Sequence, residues 1–595
     1  MSLQPPVIHR LYQTSADKRF RLISAPPPLC YPPAPTIDCA THLGPARVEY
    51  RVYFNREPGL PSSDAPGAAV ITIAALDAPG AHTTDAAEAE RWSAEFHVPQ
   101  LECAVYFVCV RVRNPFTLEE SDNTDQRIVP VCEATQAPGR YVVYGPNGSI
   151  YTRDPETIFT DGRPARLLRS FDHGDTWETL CLMPGDSGDV PGFAVDSKGY
   201  IYAASSPTPC VSRDDGRTFE PMCDARGETV NLTHATQFWR PGWNVTELEP
   251  GAHPEFPHGG IFLSTYALGA FRGPCDPRWM QPDPANPGRV QVWYDGSGAL
   301  ETDRIGRGYR ILYARDPERR VWEYVDVTDE DSPNDINSAG DTPLADRHIH
   351  GFKINPYAPM DWYLSTGDGL WIAETEANFE RRGRDVPENW EWEGGFTKRR
   401  GLYRIDSSFH AVQLRGPYYL NGPTGLSFFP DGTTLVGDDT RAGSVQGYDY
   451  NAARAEVVEV RAGIHRYDRD GRELDYFDPS QLDARLTGVM YDAVTLEGSE
   501  IAFVSLDDDA GLGRSDTALL TNLNGAWETL IQLPADCHIQ FLSADSRKLI
   551  PRDAAYLHVD AHGVGNIRVP LKGLLSRTGD SEEEALHAVA RRVIG

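Results

Sequence analysis

Thr424-Gly425-Leu426-Ser427-Phe428-Phe429-Pro430-Asp431-Gly432-Thr433-Thr434-Leu435-Val436 is the stretch on which the fold turns. An apolar run follows a Gly, a Pro-Asp-Gly turn closes it, and a second β-prone run returns. The unit recurs along the chain. Groups ending in Gly precede apolar runs at Pro138-Gly139, Pro191-Gly192, His258-Gly259-Gly260, His350-Gly351, Thr424-Gly425 and Thr487-Gly488. A seventh start, at His538, has Ile539 in place of the Gly. The intervals average about sixty residues, the size of a four-stranded unit with insertions.

A four-stranded sheet cannot bury both faces alone. Sheets packed face to face around an axis can, and closing the ring protects their edges. The reading is therefore all-β: a seven-bladed β-propeller over residues 137–575, with six or eight blades also compatible with the irregular spacing. A Gly ahead of each inner strand suits an axis where neighbouring backbones converge. Residues 1–132 read as a β-sandwich of fibronectin- or immunoglobulin-like topology, with strands at 48–54, 69–74 and 104–113. Asp85 to Trp92 reads as a short helix capped by Asp85. Residues 579–595 read as a C-terminal helix, acidic at its start and Arg-bearing at its end.

The composition narrows the partners. The net charge of −30 over 595 residues repels nucleic-acid phosphates and anionic lipid, so neither is expected. An anionic sugar in a local basic pocket stays open. No apolar signal-peptide core or membrane span is visible, which favours a cytoplasmic or virion-associated location over secretion. Ten cysteines include no CxxC pair, and five lie in the first 132 residues: Cys30, Cys39, Cys103, Cys109 and Cys132. Cys103 and Cys109, read as strand residues, share a face. A disulfide in this region and buried thiols both fit, the thiols ranking first because nothing else signals secretion.

Ser170-Phe171-Asp172-His173-Gly174-Asp175-Thr176-Trp177 and Ser212-Arg213-Asp214-Asp215-Gly216-Arg217-Thr218-Phe219 share one pattern, S-x-D-x-G-x-T followed by an aromatic. A decayed third copy runs from Ala314-Arg315-Asp316 to Trp322. These resemble the Asp-box, or BNR, repeat of sialidase-like propellers. His348-Ile349-His350-Gly351-Phe352-Lys353-Ile354-Asn355-Pro356-Tyr357, followed by Thr366-Gly367-Asp368, is similar to a segment of uncharacterised bacterial BNR-repeat proteins, with Asn355 where they carry Asp. The resemblance implies the propeller. It also implies a structural role for Ser170, Asp172, Gly174, Trp177, Ser212, Asp214, Gly216 and Phe219, on the blade rim away from the ligand face. The family's Arg-Ile-Pro signature has no counterpart where the repeats begin, which argues against true sialidase activity.

Chemistry is expected at the mouth of the funnel. In a regular strand His348 and His350 project together. Two imidazoles there can bind a divalent metal, or one can act as general base. Alternatively, one caps a loop and the other packs on the next blade. His258, Thr424, Thr487 and His538 hold the equivalent positions on other blades. Asp368 and Asp439 (after Asp438) end strands, and Tyr266, Arg415, Tyr418 and Tyr419 flank similar positions. The catalytic candidates are His348, His350, Asp368 and Asp439; the substrate-binding candidates are His258, Tyr266, Arg415, Tyr418, Tyr419 and His538. Such a lining suits an oligo- or polysaccharide, uronic-acid-containing glycans among them, with lyase or glycoside hydrolase turnover. The alternative is a non-catalytic glycan-binding or assembly protein, such as a phage-tail, host-recognition or adhesion component, with a protein partner on the N-terminal domain. Asp329–Asp331 and Asp507–Asp509 read as solvated loops, because neither has calcium-loop spacing.

Overall fold

The structure is a computed structural model. It describes residues 4–25, 29–30, 46–59, 68–74, 92–135, 137–139, 141–154, 166–184, 192–204, 209–230, 235–236, 245–264, 267–268, 280–282, 290–294, 299–300, 310–315, 321–326, 328–329, 348–367, 401–415, 423–438, 443–449, 456–507, 515–534 and 537–575. Almost every element is a strand. Contacts divide the chain into two units: Met1–Thr135 with Asp516–Ile539 and Asp553–Gly595, and Gln136–Ser515 with Gln540–Arg552.

In the first unit, Ile8–Ser15, Arg19–Ser24 and Trp92–His97 form one antiparallel sheet. Ala69–Ala74, Glu49–Asn55, Val105–Arg113 and Arg127–Pro130 form another. The two bury a common core. Tyr50, Val52 and Phe54 alternate into it from one strand, Tyr106, Val108, Val110 and Val112 from its neighbour, and Phe20, Leu22 and Trp92 from the other sheet. Outward residues of the same strands carry charge pairs such as Arg111 with Glu120 at 3.1 Å. Glu133–Ala134, just ahead of the first repeat, pairs with Gly565–Pro570 near the end of the chain.

Among the described residues, the second unit holds five antiparallel ladders of four strands; the fourth belongs to a seven-stranded sheet that also takes in Ala235–Thr236, Ala267–Leu268 and, in parallel, Thr328–Asp329. The first is Val142–Tyr144, Ile150–Asp154, Arg166–Ser170 and Glu178–Leu182. The second is Gly192–Val195, Ile201–Ala204, Cys210–Ser212 and Glu220–Pro221. The third is Val245–Leu248, Gly260–Ser264, Arg310–Ala314 and Glu323–Asp326. The fourth is His348–Ile354, Trp362–Gly367, Gly401–Ile405 and His410–Arg415. The fifth is Pro423–Phe428, Thr434–Asp438, Ile464–Tyr467 and Glu473–Phe477. A hairpin of Val489–Leu496 and Ala502–Asp507 follows.

Each sheet buries its faces against the next. Val143 and Tyr151 meet Phe193 and Ile201. Tyr202 and Val211 meet Ile261 and Trp322. Leu248 and Phe262 meet Phe352 and Trp362. Tyr363 and Leu402 meet Leu426 and Val436. Between the fifth sheet and the hairpin the backbones themselves converge: a Cβ on Gly425 would stand 2.7 Å from Ala493 N. Gln540–Arg552 closes the circuit. Leu549 pairs in parallel with Thr495 of the hairpin, and Ser543 Oγ donates to Tyr144 Oη of the first sheet at 3.1 Å. This is the all-β, propeller-like fold that the repeats imply.

Several expectations need correction. Gly260 heads the second strand of its sheet; the first strand is Val245–Leu248. Trp92 opens a strand, not the end of a helix, while 85–91 and the C-terminal segment 579–595 lie outside the described residues. Cys103 precedes the strand that begins at Val105, so it shares no strand face with Cys109. No disulfide joins the described cysteines. Asp507 is fully buried and accepts from Gln540 Nε2 at 3.2 Å, so it is no solvated loop residue. Among the described residues no helix is long and apolar enough to cross a membrane.

Candidate functional site

Antiparallel order gives every sheet of the ring two ends. The first strand begins at the leading end, and the turn into the second strand lies at the trailing end. The trailing ends sit together. Ser197, after the first strand of the second sheet, donates its N–H at 2.9 Å to Glu247 in the first strand of the third. Asn355 Nδ2 donates to Gly432 O at 2.9 Å, joining the fourth and fifth sheets. Ser427 and Thr495 share a hydrogen bond of 2.9 Å between the fifth sheet and the hairpin.

The trailing end of the axis is closed by charge. Lys548 Nζ lies 2.6 Å from Asp492 Oδ1, and both side chains are buried. Asp492 Oδ2 also accepts from Leu542 N at 3.0 Å. Lys353, from the fourth sheet, is buried beside this pair; burial, then the nearby Lys548, pushes its ammonium well below the ordinary value. Ser546 Oγ donates to Glu247 at 2.9 Å. Burial and the neighbouring Glu247 raise the Asp196 carboxyl to about 6, against a hydrogen bond from Tyr202 Oη. The sequence reading missed this plug, since each residue acquires meaning only from partners far along the chain.

The two box turns also lie at the trailing end, between third and fourth strands. Asp172 accepts from Thr176 N at 2.8 Å and Thr176 Oγ1 at 2.6 Å, and Ser170 Oγ accepts from Gly174 N at 2.9 Å. Asp214, Thr218, Ser212 and Gly216 repeat this geometry at 2.9, 2.7 and 2.8 Å. Gly174 and Gly216 take φ of 93° and 75°, the left-handed region that favours glycine. These bonds lower the Asp172 and Asp214 carboxyls to about 2, the Thr176 and Thr218 hydroxyls contributing most. Trp177 Nε1 donates to Gly174 O at 3.0 Å. Trp322, the end of the decayed third copy, is buried at the corresponding place in the third sheet.

His348 opens the first strand of the fourth sheet, at its leading end. The register pairs Ala267 with His348 and His348 with Gly367. Tyr266 and Asp368 lie outside the described residues. In the fifth sheet, Pro423 pairs with Asp438 at the leading end, and Asp439 lies outside the described residues. Arg415 pairs with Leu402 at the leading end of the fourth sheet, its guanidinium 5.4 Å from the Tyr467 ring centroid. Tyr418 and Tyr419 follow it, outside the described residues.

A bulge alters the expected strand geometry. Ile349 pairs with Thr366 and Gly351 with Ser365, leaving His350 as the extra residue. Strict alternation therefore does not carry His348 and His350 to one face. The fifth sheet repeats the device: Pro423 pairs with Asp438 and Gly425 with Gly437, leaving Thr424 over. The equivalence of His350 and Thr424 was legible from the Gly that follows each; the bulge was not.

Two candidates stand elsewhere. His258 is exposed in the turn before the second strand of the third sheet, hence at the trailing end. The pre-strand equivalence failed because an apolar run after Gly looks alike on either side of a hairpin. His538 falls in the first unit.

Asp438, which the hydrolase reading considered, is buried and engaged. Its Oδ2 lies 3.3 Å from His465 Nε2, and His465 Nδ1 lies 3.0 Å from Glu473 Oε2. A carboxylate at each nitrogen favours the doubly protonated ring. Burial opposes that charge, but the bonds to Asp438 and Glu473 outweigh it and raise the imidazole's pKa. Tyr467 stacks on the ring at 5.5 Å. Among the described residues no three His, Cys, Asp or Glu are grouped to hold a metal.

No family model matches the chain, and no curated protein matches it in sequence. Solved structures similar to it are propellers. Streptogramin B lyase is 8% identical over 73% of this chain and 96% of its own, with a TM-score of 0.38. YCF48 bound to D1 peptide is 10% identical over 74% and 96%, at 0.37. The Pan2 WD40 domain of Neurospora crassa is 9% identical over 74% and 93%, at 0.34.

Proposed function

We propose that the chain is a sialidase-like, Asp-box propeller of seven blades whose leading end binds a glycan. One observation supports the reading: His348 pairs with both Ala267 and Gly367, the residues next in sequence to Tyr266 and Asp368. Tyrosine faces suit the apolar side of a sugar ring, and carboxylate and imidazole suit its hydroxyls. Arg415 offers a guanidinium to a uronate carboxylate. The two box turns, at the opposite end, supply stability.

Glycan-array binding of the full chain tests this, followed by titration of His348→Ala and Asp368→Asn. Binding that falls at least tenfold in both variants, with unchanged thermal midpoints, is expected; no binding above background on the array sinks the proposal. Incubation with uronic-acid polysaccharides, read by the absorbance of unsaturated uronates and by reducing-end release, separates lyase or hydrolase turnover from pure binding. Unchanged binding after chelation would remove a divalent metal from His348 and His350.

A further inference from the structure

Cys103 stands two residues before the strand Val105–Arg113, and Cys132 two residues after the strand Arg127–Pro130 that pairs with it. The antiparallel register pairs Val105 with Pro130, and Val131 N donates to Ala104 O at 2.9 Å. Continued one step past the strand, the same register would set Cys103 against Cys132. Because Ala104 and Val131 are hydrogen-bonded, the next pair is of the non-hydrogen-bonded kind, in which Cα atoms approach to about 4.5 Å. That separation lies within the range a disulfide spans. Gln13 keeps Cys132 in place: its Nε2 donates to Cys132 O and its Oε1 accepts from Cys132 N, each at 2.9 Å. Neither backbone group of Cys132 is left to reach across to Cys103, as this kind of pair requires. As thiols, Cys103 Sγ donates to Arg568 O at 3.8 Å and Cys132 Sγ to Pro130 O at 3.9 Å, weak contacts that a disulfide would replace.

We propose that Cys103 and Cys132 form a cross-strand disulfide that ties the strand Val105–Arg113 to the segment leading into the ring. The oxidant is a disulfide, such as oxidised glutathione or a thiol oxidoreductase. One cysteine attacks it as thiolate and displaces one thiol. The second cysteine then attacks the mixed disulfide and displaces the other. Two protons and two electrons leave the cysteines and reduce the oxidant to two thiols.

Burial holds the Cys103 thiol up at about 12, and burial together with Cys103 pushes Cys132 well above its ordinary value. Thiolate is therefore scarce in the folded state. The bond forms as the unit folds and afterwards resists exchange. Cys109, by contrast, faces Asn123 across the sheet.

The test is to unfold the full chain in reductant, refold it in a glutathione redox buffer, alkylate it, and map the peptides without reduction. The expected product links Cys103 to Cys132 with the loss of two hydrogens. Adding reductant should then lower the denaturation midpoint by about 5 °C or more, and Cys103→Ser/Cys132→Ser should abolish that dependence. Linkage of either residue to another cysteine, or full alkylation of both, overturns the proposal. If the double variant fails to fold, the peptide map of the unaltered chain decides alone.

Discussion

The two ends of the ring are built on different principles. At the trailing end, side chains from distant segments neutralise one another: Lys548 meets Asp492, Ser546 meets Glu247, and two box turns satisfy their own backbone. At the leading end, bulges at His350 and Thr424 break the strand ladder, and Asp438, His465 and Glu473 of the fifth sheet form a buried network of their own. One end holds the sheets together. The other carries bulges at the starts of two first strands.

The contrast can be broken most severely at the plug. Lys548→Met strands the buried Asp492 carboxylate and should cost about 3–5 kcal/mol in urea unfolding; a loss under 1 kcal/mol would mean that water reaches the pair. Gly425→Ala places a methyl 2.7 Å from Ala493 N, against backbone that cannot turn away. It should cost about 1–3 kcal/mol, also in urea.

A smaller effect is read by pH. The Asp196 carboxyl is raised to about 6 in the folded state, so between about 4 and 6 the folded chain binds more protons than the unfolded one. Stability from this group is present at low pH and falls as pH rises through that window; Asp196→Asn should flatten the profile there. Asp172 works in the opposite sense. Its carboxyl is lowered to about 2, so its contribution is present above the ordinary value and lost as pH falls towards 2. Asp172→Ala should give the smallest change, seen as faster amide exchange within the first sheet.

Local features of this molecule were legible in its sequence, and non-local ones were not. Each box turn closes within eight residues, so Ser170 to Trp177 could be read directly. Gly425 signalled a crowded axis, and the axis is crowded there. The first strand of the third sheet escaped notice because Val245–Leu248 carries Glu247, a residue that looks like a turn signal until Ser546 arrives some three hundred residues later. Lys353 read as part of a family-like motif, although it packs beside the plug. At the leading end the sequence suggested which residues belong together. The backbone register sets His348 between Ala267 and Gly367, puts His258 at the trailing end of its sheet, and His538 belongs to the first unit.

Hydrogen–deuterium exchange of the full chain, with and without a glycan selected on the array, bears most directly on the division between the ends. The account predicts protection of 348–354, 362–367 and 423–428, with the box turns at 170–177 and 212–219 unchanged. Protection centred on the box turns, or on the sandwich alone, would contradict it.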